Sequence, residues 1–388
     1  MLLRKLSLPI LCLIFLTGCS SIPFQRQESL YTGLYKRIPY KVEGTYRVLD
    51  VFYATSRKID NNTRFPKSFR PELGEKMAYG IVNVKIDPAL RIGKMLPNWY
   101  KKRNLLGVQE AGFLQEDIFM KELSNTINTS PHKSLLIVVF GYKDNFEYIA
   151  IETAYFAYLL DVNTPVLLFD WPGDQPVTPW GYLKAQSLAK DSGKYLGNLL
   201  TKIIREVKPE KLWIKGSSLG SQVICNAFEE MYKHEDLRDA DLEIDHVIFA
   251  APDVGEKEFD ENFKNEITAF SKRLTTYVSS NDEALLMSGF INGEKKLGRQ
   301  KIRVKKQDQL NEAKDILYLK SLLSDKIALV DVTPINEASY KHGYYFEAPE
   351  FFDDLYLRIL DEQPHTNRHL YLLKTKDDID YWVLRSDG

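Results

Sequence analysis

Short apolar runs recur along most of the chain, and between them the apolar positions switch to helical spacing. Leu135–Phe140 (LLIVVF), Pro165–Asp170 (PVLLFD), Leu212–Lys215 (LWIK), Val247–Ala250 (VIFA), Leu274–Val278 (LTTYV) and Ile327–Val332 (IALVDV) are the runs. The first is followed by Phe146, Ile149, Ala150, Thr153, Ala154 and Ala157. The second is followed by Leu188, Ser192, Tyr195, Leu196, Leu199, Leu200, Ile203 and Val207, and the third by a helix-compatible segment from Val223 to Met231. A strand that is apolar at every position has no side it can turn to water, so both faces of its sheet must be covered. Such strands alternating with amphipathic helices predict an α/β architecture, a mostly parallel sheet with helices on both faces. Upstream, Val48–Ala54 and Tyr79–Ile86 alternate in part and predict two earlier strands. The stretch between them, with Asn61, Asn62, Pro66 and Pro71, reads as a loop. No internal repeat is visible.

Where the periodicity fails, the chain reads as connecting or accessory. Residues 20–45 suit a tether. Between Gly289 and Asp325 a basic run (Lys295, Lys296, Arg299, Lys301, Arg303, Lys305, Lys306) marks an insertion, either a solvated loop or an arm touching anionic headgroups. The expected organisation is one hydrolytic-type α/β domain over residues 46–362 with that insertion at 289–325, and a polar C-terminal extension over 363–388. With 388 residues, 44% of them apolar and 12% aromatic, the chain can bury a large core. Its 52 basic and 53 acidic residues balance, so nucleic acid is not an indicated partner.

The first residues add a localisation signal. Arg4 and Lys5 precede the apolar run Leu6–Phe15, which is too short to span a bilayer comfortably and reads as the h-region of a signal peptide over residues 1–18. Leu16-Thr17-Gly18-Cys19 resembles the lipobox of bacterial lipoproteins, and Ser20 resembles outer-membrane sorting. The implied mature chain begins at an acylated Cys19 and is membrane-attached through that lipid. With Cys12 removed and Cys19 acylated, Cys225 is the only thiol left, so no disulfide can form within the chain.

The strongest chemical signal is Gly216-Ser217-Ser218-Leu219-Gly220. A G-x-S-x-G pentapeptide arises by chance in about one in eight chains of this length, so its context matters more than its letters. Here a strand feeds into it and a helix leaves it, the setting in which a tight turn lifts the serine hydroxyl above the carboxyl edge of a sheet. Ser218 is the candidate nucleophile and the Leu219 N–H a first oxyanion donor at the helix N-terminus. Ser217 falls where its side chain should turn away, toward a pocket or packing role.

Serine needs a base, and the base needs a carboxylate to orient it. Of the six histidines, His132 precedes the serine, and His234 and His246 come before any acid-bearing loop. His365 and His369 lie in the polar C-terminal stretch. His342 follows the last strong strand and is the candidate base. Asp282, after the strand Leu274–Val278, is the preferred acid, because that strand immediately precedes the final one. Asp253 after Val247–Ala250 is the alternative, and either aspartate could instead cap a helix. Phe140-Gly141-Tyr142 should supply the second oxyanion donor through the Tyr142 N–H, with Gly141 permitting close approach. Trp171, after the next strand, lines the pocket or simply packs. No zinc, nucleotide or dithiol motif is present, and no cofactor or metal is expected.

These segments together resemble the α/β-hydrolase-like family known as domain of unknown function 900. The matching pieces are Val51–Arg57 (VFYATSR), Tyr79-Gly80, Gly141-Tyr142, Asp170-Trp171-Pro172, Ser218-Leu219-Gly220, Ala251-Pro252-Asp253, Tyr277–Leu285 (YVSSNDEAL), and His342 with Tyr345, spread over about residues 46–360. The family usually carries histidine where this chain has Phe140 and Ser217. The resemblance implies an α/β-hydrolase fold and a Ser-Asp-His triad. The expected activity is hydrolysis of an ester or thioester of a small molecule or lipid, with acyl transfer to an alcohol or a non-catalytic scaffold as the competing expectations.

Overall fold

A computed structural model describes residues 41–87, 105–238, 243–299, 326–360 and 367–386, except 44, 66, 162, 368 and 375–379. The signal peptide, Cys19, most of the tether, the basic residues Lys301–Lys306 and His365 lie outside the described residues.

The apolar runs become strands. In chain order these are β1 (Lys41–Glu43), β2 (Tyr46–Ile59), β3 (Phe69–Ile86), β4 (Leu106–Leu114), β5 (Ser134–Val139) and β6 (Val166–Asp170). They continue with β7 (Lys211–Ser217), β8 (His246–Ala250), β9 (Leu274–Val278), β10 (Ile327–Asp331), β11 (Leu370–Lys374) and β12 (Asp380–Leu384). They form one sheet in the order β11-β12-β10-β9-β8-β7-β5-β6-β2-β3-β4, with β1 paired to β2. From β12 to β2 all neighbours are parallel, and only the two ends of the sheet carry antiparallel pairs. The order reverses around β5, with β6 on one side and β7 on the other. Such a switch point opens a crevice at the carboxyl ends of the strands.

Alternation along each strand divides the core in two. Leu136, Val138 and Phe140 pack with α2 (Phe146–Leu160) and with the helix Pro349–Ile359 on one face. Leu135, Ile137 and Val139 pack on the other face with α1 (Glu116–Thr129), α3 (Pro179–Lys202) and α4 (Leu219–Tyr232). Each such fully buried side chain contributes roughly 1.5–3 kcal/mol by leaving water. Helix starts are set by side chains: Asn145 accepts from Tyr148 N at 3.0 Å to open α2, and Thr178 accepts from Gly181 N at 3.0 Å to open α3, with Pro179 in its first turn.

Four expectations change. The loop foreseen between the first two strands is shorter, because β2 runs on to Ile59 and β3 begins at Phe69, with register shifts around Arg57. The tether ends earlier than residue 45, since Lys41–Glu43 pair with β2. The supposed insertion is part of the fold up to Arg299. A helix here labelled α5 (Glu283–Asn292) covers its first residues, Leu297 is buried, and Gly298 N donates to Pro252 O at 3.0 Å. The C-terminal stretch is no appendage either, because β12 lies parallel against β10 inside the sheet.

Candidate active site

Strand β7 delivers Ser218 to the carboxyl edge in a backbone conformation that side chains rarely adopt, φ 51° and ψ −130°. Such a residue costs about 1–3 kcal/mol and persists only where its surroundings over-determine it. Ser218 N donates to Ala250 O at 3.1 Å, and Ser218 O accepts from Ser221 N at 3.0 Å and from Asp253 N at 3.1 Å. The turn is therefore clamped by β8 and by the chain that follows it. A β-carbon on Gly220 would sit 2.3 Å from Val139 O, so only glycine lets α4 start this close to β5. Leu219 is the first residue of α4, where backbone N–H groups have no intrahelical acceptor.

The loop after β5 passes directly against the nucleophile. A β-carbon on Gly141 would stand 2.7 Å from Ser218 Cβ and 3.2 Å from Ser218 Oγ. Tyr142 follows, its hydroxyl donating to Pro176 O at 2.5 Å, and Lys143 N is held by Gly173 O at 2.8 Å. Trp171 is buried, with its indole N–H donating to Phe140 O at 2.8 Å, so it braces this loop from beneath. A buried ion-pair cluster ties the same region to β2. Arg57 Nε lies 2.9 Å from both oxygens of Asp170, its guanidinium also meets Asp174 and Asp144 O, and Thr55 donates to Asp170.

His342 Nδ1 lies 2.8 Å from Asp282 Oδ2. Asp282 is fully buried and its other oxygen, Oδ1, accepts from Leu285 N at 2.8 Å, which caps α5. The two roles foreseen as alternatives for this aspartate are both filled, one by each oxygen. With Asp282 ionised, Nδ1 carries the proton and Nε2 is left as the basic nitrogen. Burial pulls the His342 pKa down, but the Asp282 charge and hydrogen bond outweigh it and leave it above the ordinary histidine value.

Asp253 stands one strand away with other partners. It accepts from Tyr182 OH at 3.0 Å and from Ser288 Oγ at 2.6 Å, and Lys296 Nζ is 3.3 Å from it. The remaining described histidines are elsewhere: His246 is buried in β8 against Thr275 Oγ1 at 2.8 Å, His234 is exposed, and His369 precedes β11.

Sequence reasoning missed three neighbours of the site. Asn336 Nδ2 donates to Lys341 O at 2.6 Å and Ser279 Oγ at 2.8 Å and reaches Asn281 Oδ1 at 3.2 Å, which staples the histidine loop to the aspartate loop. Tyr344 OH accepts from Ala251 N at 2.7 Å and donates to Tyr277 O at 2.9 Å. Lys215, on the same face of β7 as the buried Ser217, is fully buried. Its Nζ lies 4.6–4.8 Å from the ring centres of Tyr345, Phe140 and Phe156 and 5.8 Å from that of Phe346. Burial pushes its pKa down to about 7, against the pull of Glu152. Only the Tyr345 next to the histidine, already part of the resemblance, hinted at that aromatic cage.

A wide depression between β3, β4 and α3, lined by Tyr79, Glu116, Lys202 and Arg205, holds none of these groups. The reactive side chains gather instead where the sheet order reverses.

No curated protein sequence matches the chain. Among solved structures, a protein described as a cell surface hydrolase from Lactobacillus plantarum WCFS1 aligns with 12% identity over 61% of this chain and 95% of its own, at a TM-score of 0.35. An inhibited esterase B from Lactobacillus rhamnosis aligns with 9% identity over 84% of this chain and 87% of its own, at a TM-score of 0.33. The family model described as alpha/beta hydrolase of unknown function (DUF900) matches residues 115–359, a span that runs from α1 through the oxyanion loop, Ser218, Asp282 and His342, and the chain belongs to that family.

Proposed function

We propose that this protein is a serine hydrolase that cleaves carboxylic ester or thioester bonds through Ser218, His342 and Asp282. The observation that carries the reading is the conjunction at one sheet edge of a strained serine, a glycine backbone 3.2 Å or less from where it would obstruct that serine, and a histidine–aspartate pair at 2.8 Å. His342 Nε2 takes the Ser218 proton as Oγ attacks the acyl carbon, while the Leu219 and Tyr142 N–H groups hold the oxygen that becomes negative. The imidazolium, steadied by Asp282, then gives that proton to the leaving alcohol or thiol. Water, deprotonated by the same nitrogen, releases the acyl group and restores Ser218. Every step uses groups of this chain, and no cofactor enters.

The substrate class we favour is a lipid or acylated molecule of the cell envelope, because the N-terminal segment reads as a signal for acylation at Cys19 and outer-membrane sorting. Among the described residues no helix is long and apolar enough to cross a membrane, and the lipid on Cys19 is the proposed attachment. One experiment tests both parts. A fluorophosphonate probe should label the purified protein at Ser218 and fail on Ser218→Ala and His342→Ala. The intact mass of the adduct should show residues 1–18 removed and an acylated Cys19. A wild-type protein that resists the probe rules out the catalytic reading, and an unmodified N-terminus rules out the anchor.

A further inference from the structure

The carboxyl edge of the sheet is also where large apolar side chains are left in water. Val177 and Trp180 at the start of α3, Met287 and Phe290 on α5, and Tyr340 two residues before His342 are 60–81% exposed. The two helices meet at this edge, since Tyr182 OH lies 2.7 Å from Ser288 Oγ and Asn292 Nδ2 donates to Tyr182 OH at 3.1 Å. The first turn of α3 is in turn tied to the oxyanion loop through Tyr142 and Pro176. The apolar tips therefore flank the mouth of the Ser218 site on two sides, where a soluble protein has reason to avoid them.

Lys143, Lys184 and Lys295 are exposed around these tips and Lys341 is half-buried, against the exposed carboxylates Glu283 and Glu337. Protruding tryptophan, phenylalanine and tyrosine ringed by a surplus of cations is the composition that settles at the headgroup level of an anionic bilayer. Chain length permits it as well. The described chain starts at Lys41, and the 22 residues between Cys19 and Lys41 reach roughly 75 Å when extended. Lys41 pairs with Val48, and β2 needs only about 23 Å to climb from there to Thr55, which pairs with Asp170 at the catalytic edge. An anchor at Cys19 thus leaves this edge free to turn toward the membrane.

We propose that this edge is a membrane-docking face that sets the mouth of the Ser218 site on a lipid bilayer, so that the ester cleaved is one carried by a molecule of that bilayer. The substrate part rests on the catalytic reading above, and the docking part does not.

The test uses the full chain with vesicles of phosphatidylcholine and phosphatidylglycerol whose acyl chains are brominated near the headgroup. Tryptophan fluorescence should be quenched, and Trp180→Phe should remove most of the quenching, because Trp171 and Trp213 are buried inside the domain. In parallel, Trp180→Ser/Phe290→Ser should lower hydrolysis of a vesicle-borne long-chain ester at least tenfold while leaving a soluble two-carbon ester, too short to reach these tips, within twofold. Quenching that survives Trp180→Phe would mean that another face meets the bilayer. Equal loss on both esters, or on neither, would overturn the docking role in turnover. If the wild type hydrolyses neither ester, the catalytic reading fails, and the quenching alone decides the docking face.

Discussion

Asp253 and Asp282 end neighbouring parallel strands at the same edge, and both are buried, yet they stand in different electrostatic company. Asp253 receives two hydroxyl donors, Tyr182 and Ser288, and the Lys296 ammonium, so its charge is neutralised where it sits. Asp282 receives one main-chain N–H and the His342 imidazole, and among the described residues no lysine or arginine pairs with its carboxylate. A compensated carboxylate stabilises its surroundings and does little to a neighbour's pKa. An uncompensated one acts on whatever faces it, here the base. Chemistry is separated from architecture by the partner set, with burial and chain position nearly equal.

The sharpest way to break this comparison is to neutralise each acid in turn. Asp282→Asn keeps the side-chain shape and can still cap α5, but removes the charge that fixes the His342 proton on Nδ1. We expect kcat on a soluble ester to fall by about 10³–10⁴-fold with expression intact. Because Asp282 is also what raises the His342 pKa, the acid limb of kcat/KM, above the ordinary histidine value in the wild type, should move to lower pH in the residual activity. An unshifted limb would remove Asp282 from the pair. Asp253→Asn should do the opposite, taking the carboxylate away from the buried Lys296 and costing about 3–5 kcal/mol of folding stability, read by chemical denaturation. Its turnover per folded, probe-labelled molecule should stay within about threefold. If Asp253→Asn is stable but inactive while Asp282→Asn turns over, the two assignments are exchanged.

How far this was legible in the sequence follows from which forces act locally. Strands buried on both faces must be continuously apolar, so β5 to β10 announce themselves. The pentapeptide is a local steric requirement and reads directly as Gly216–Gly220. The edge strand β4 carries Gln109 and Glu110 in its middle, because an exposed edge imposes no apolar pattern, and it passes for loop. Strand β12 enters the sheet beside β10 only through parallel pairing of Val330 and Asp331 with Trp382 and Val383, a long-range contact with no local signature. The same holds at the site. Position after a strand nominated Asp253 and Asp282 alike, and what chooses between them is the loop that carries His342 back over β9, with Tyr340 and Lys341 both left-handed at φ 53° and 51°. Lys215 was invisible for the complementary reason: within the run LWIK a lysine looks like the end of a strand, and only the packed rings around it reveal a buried cation.

That loop offers the gentlest test of the comparison. Asn336 is nearly fully buried, and its amide holds Lys341 O on one side and Ser279 and Asn281 on the other, so it touches the strand ends of the Asp282–His342 pair and none of the groups around Asp253. Asn336→Ala leaves the imidazole–carboxylate contact chemically complete but removes the brace that fixes its position over Ser218. Small displacements of a base are costly because proton transfer requires hydrogen-bond reach. We expect kcat to fall roughly tenfold at unchanged KM, with the acid limb of the pH profile staying at its wild-type position. The unmoved limb is the discriminating readout, since Asp282 still faces His342 in this variant. A limb that shifts as far as in Asp282→Asn would mean that Asn336 is needed to form the pair at all, and full wild-type turnover would mean that the histidine loop holds its place through Tyr344 and its own turn.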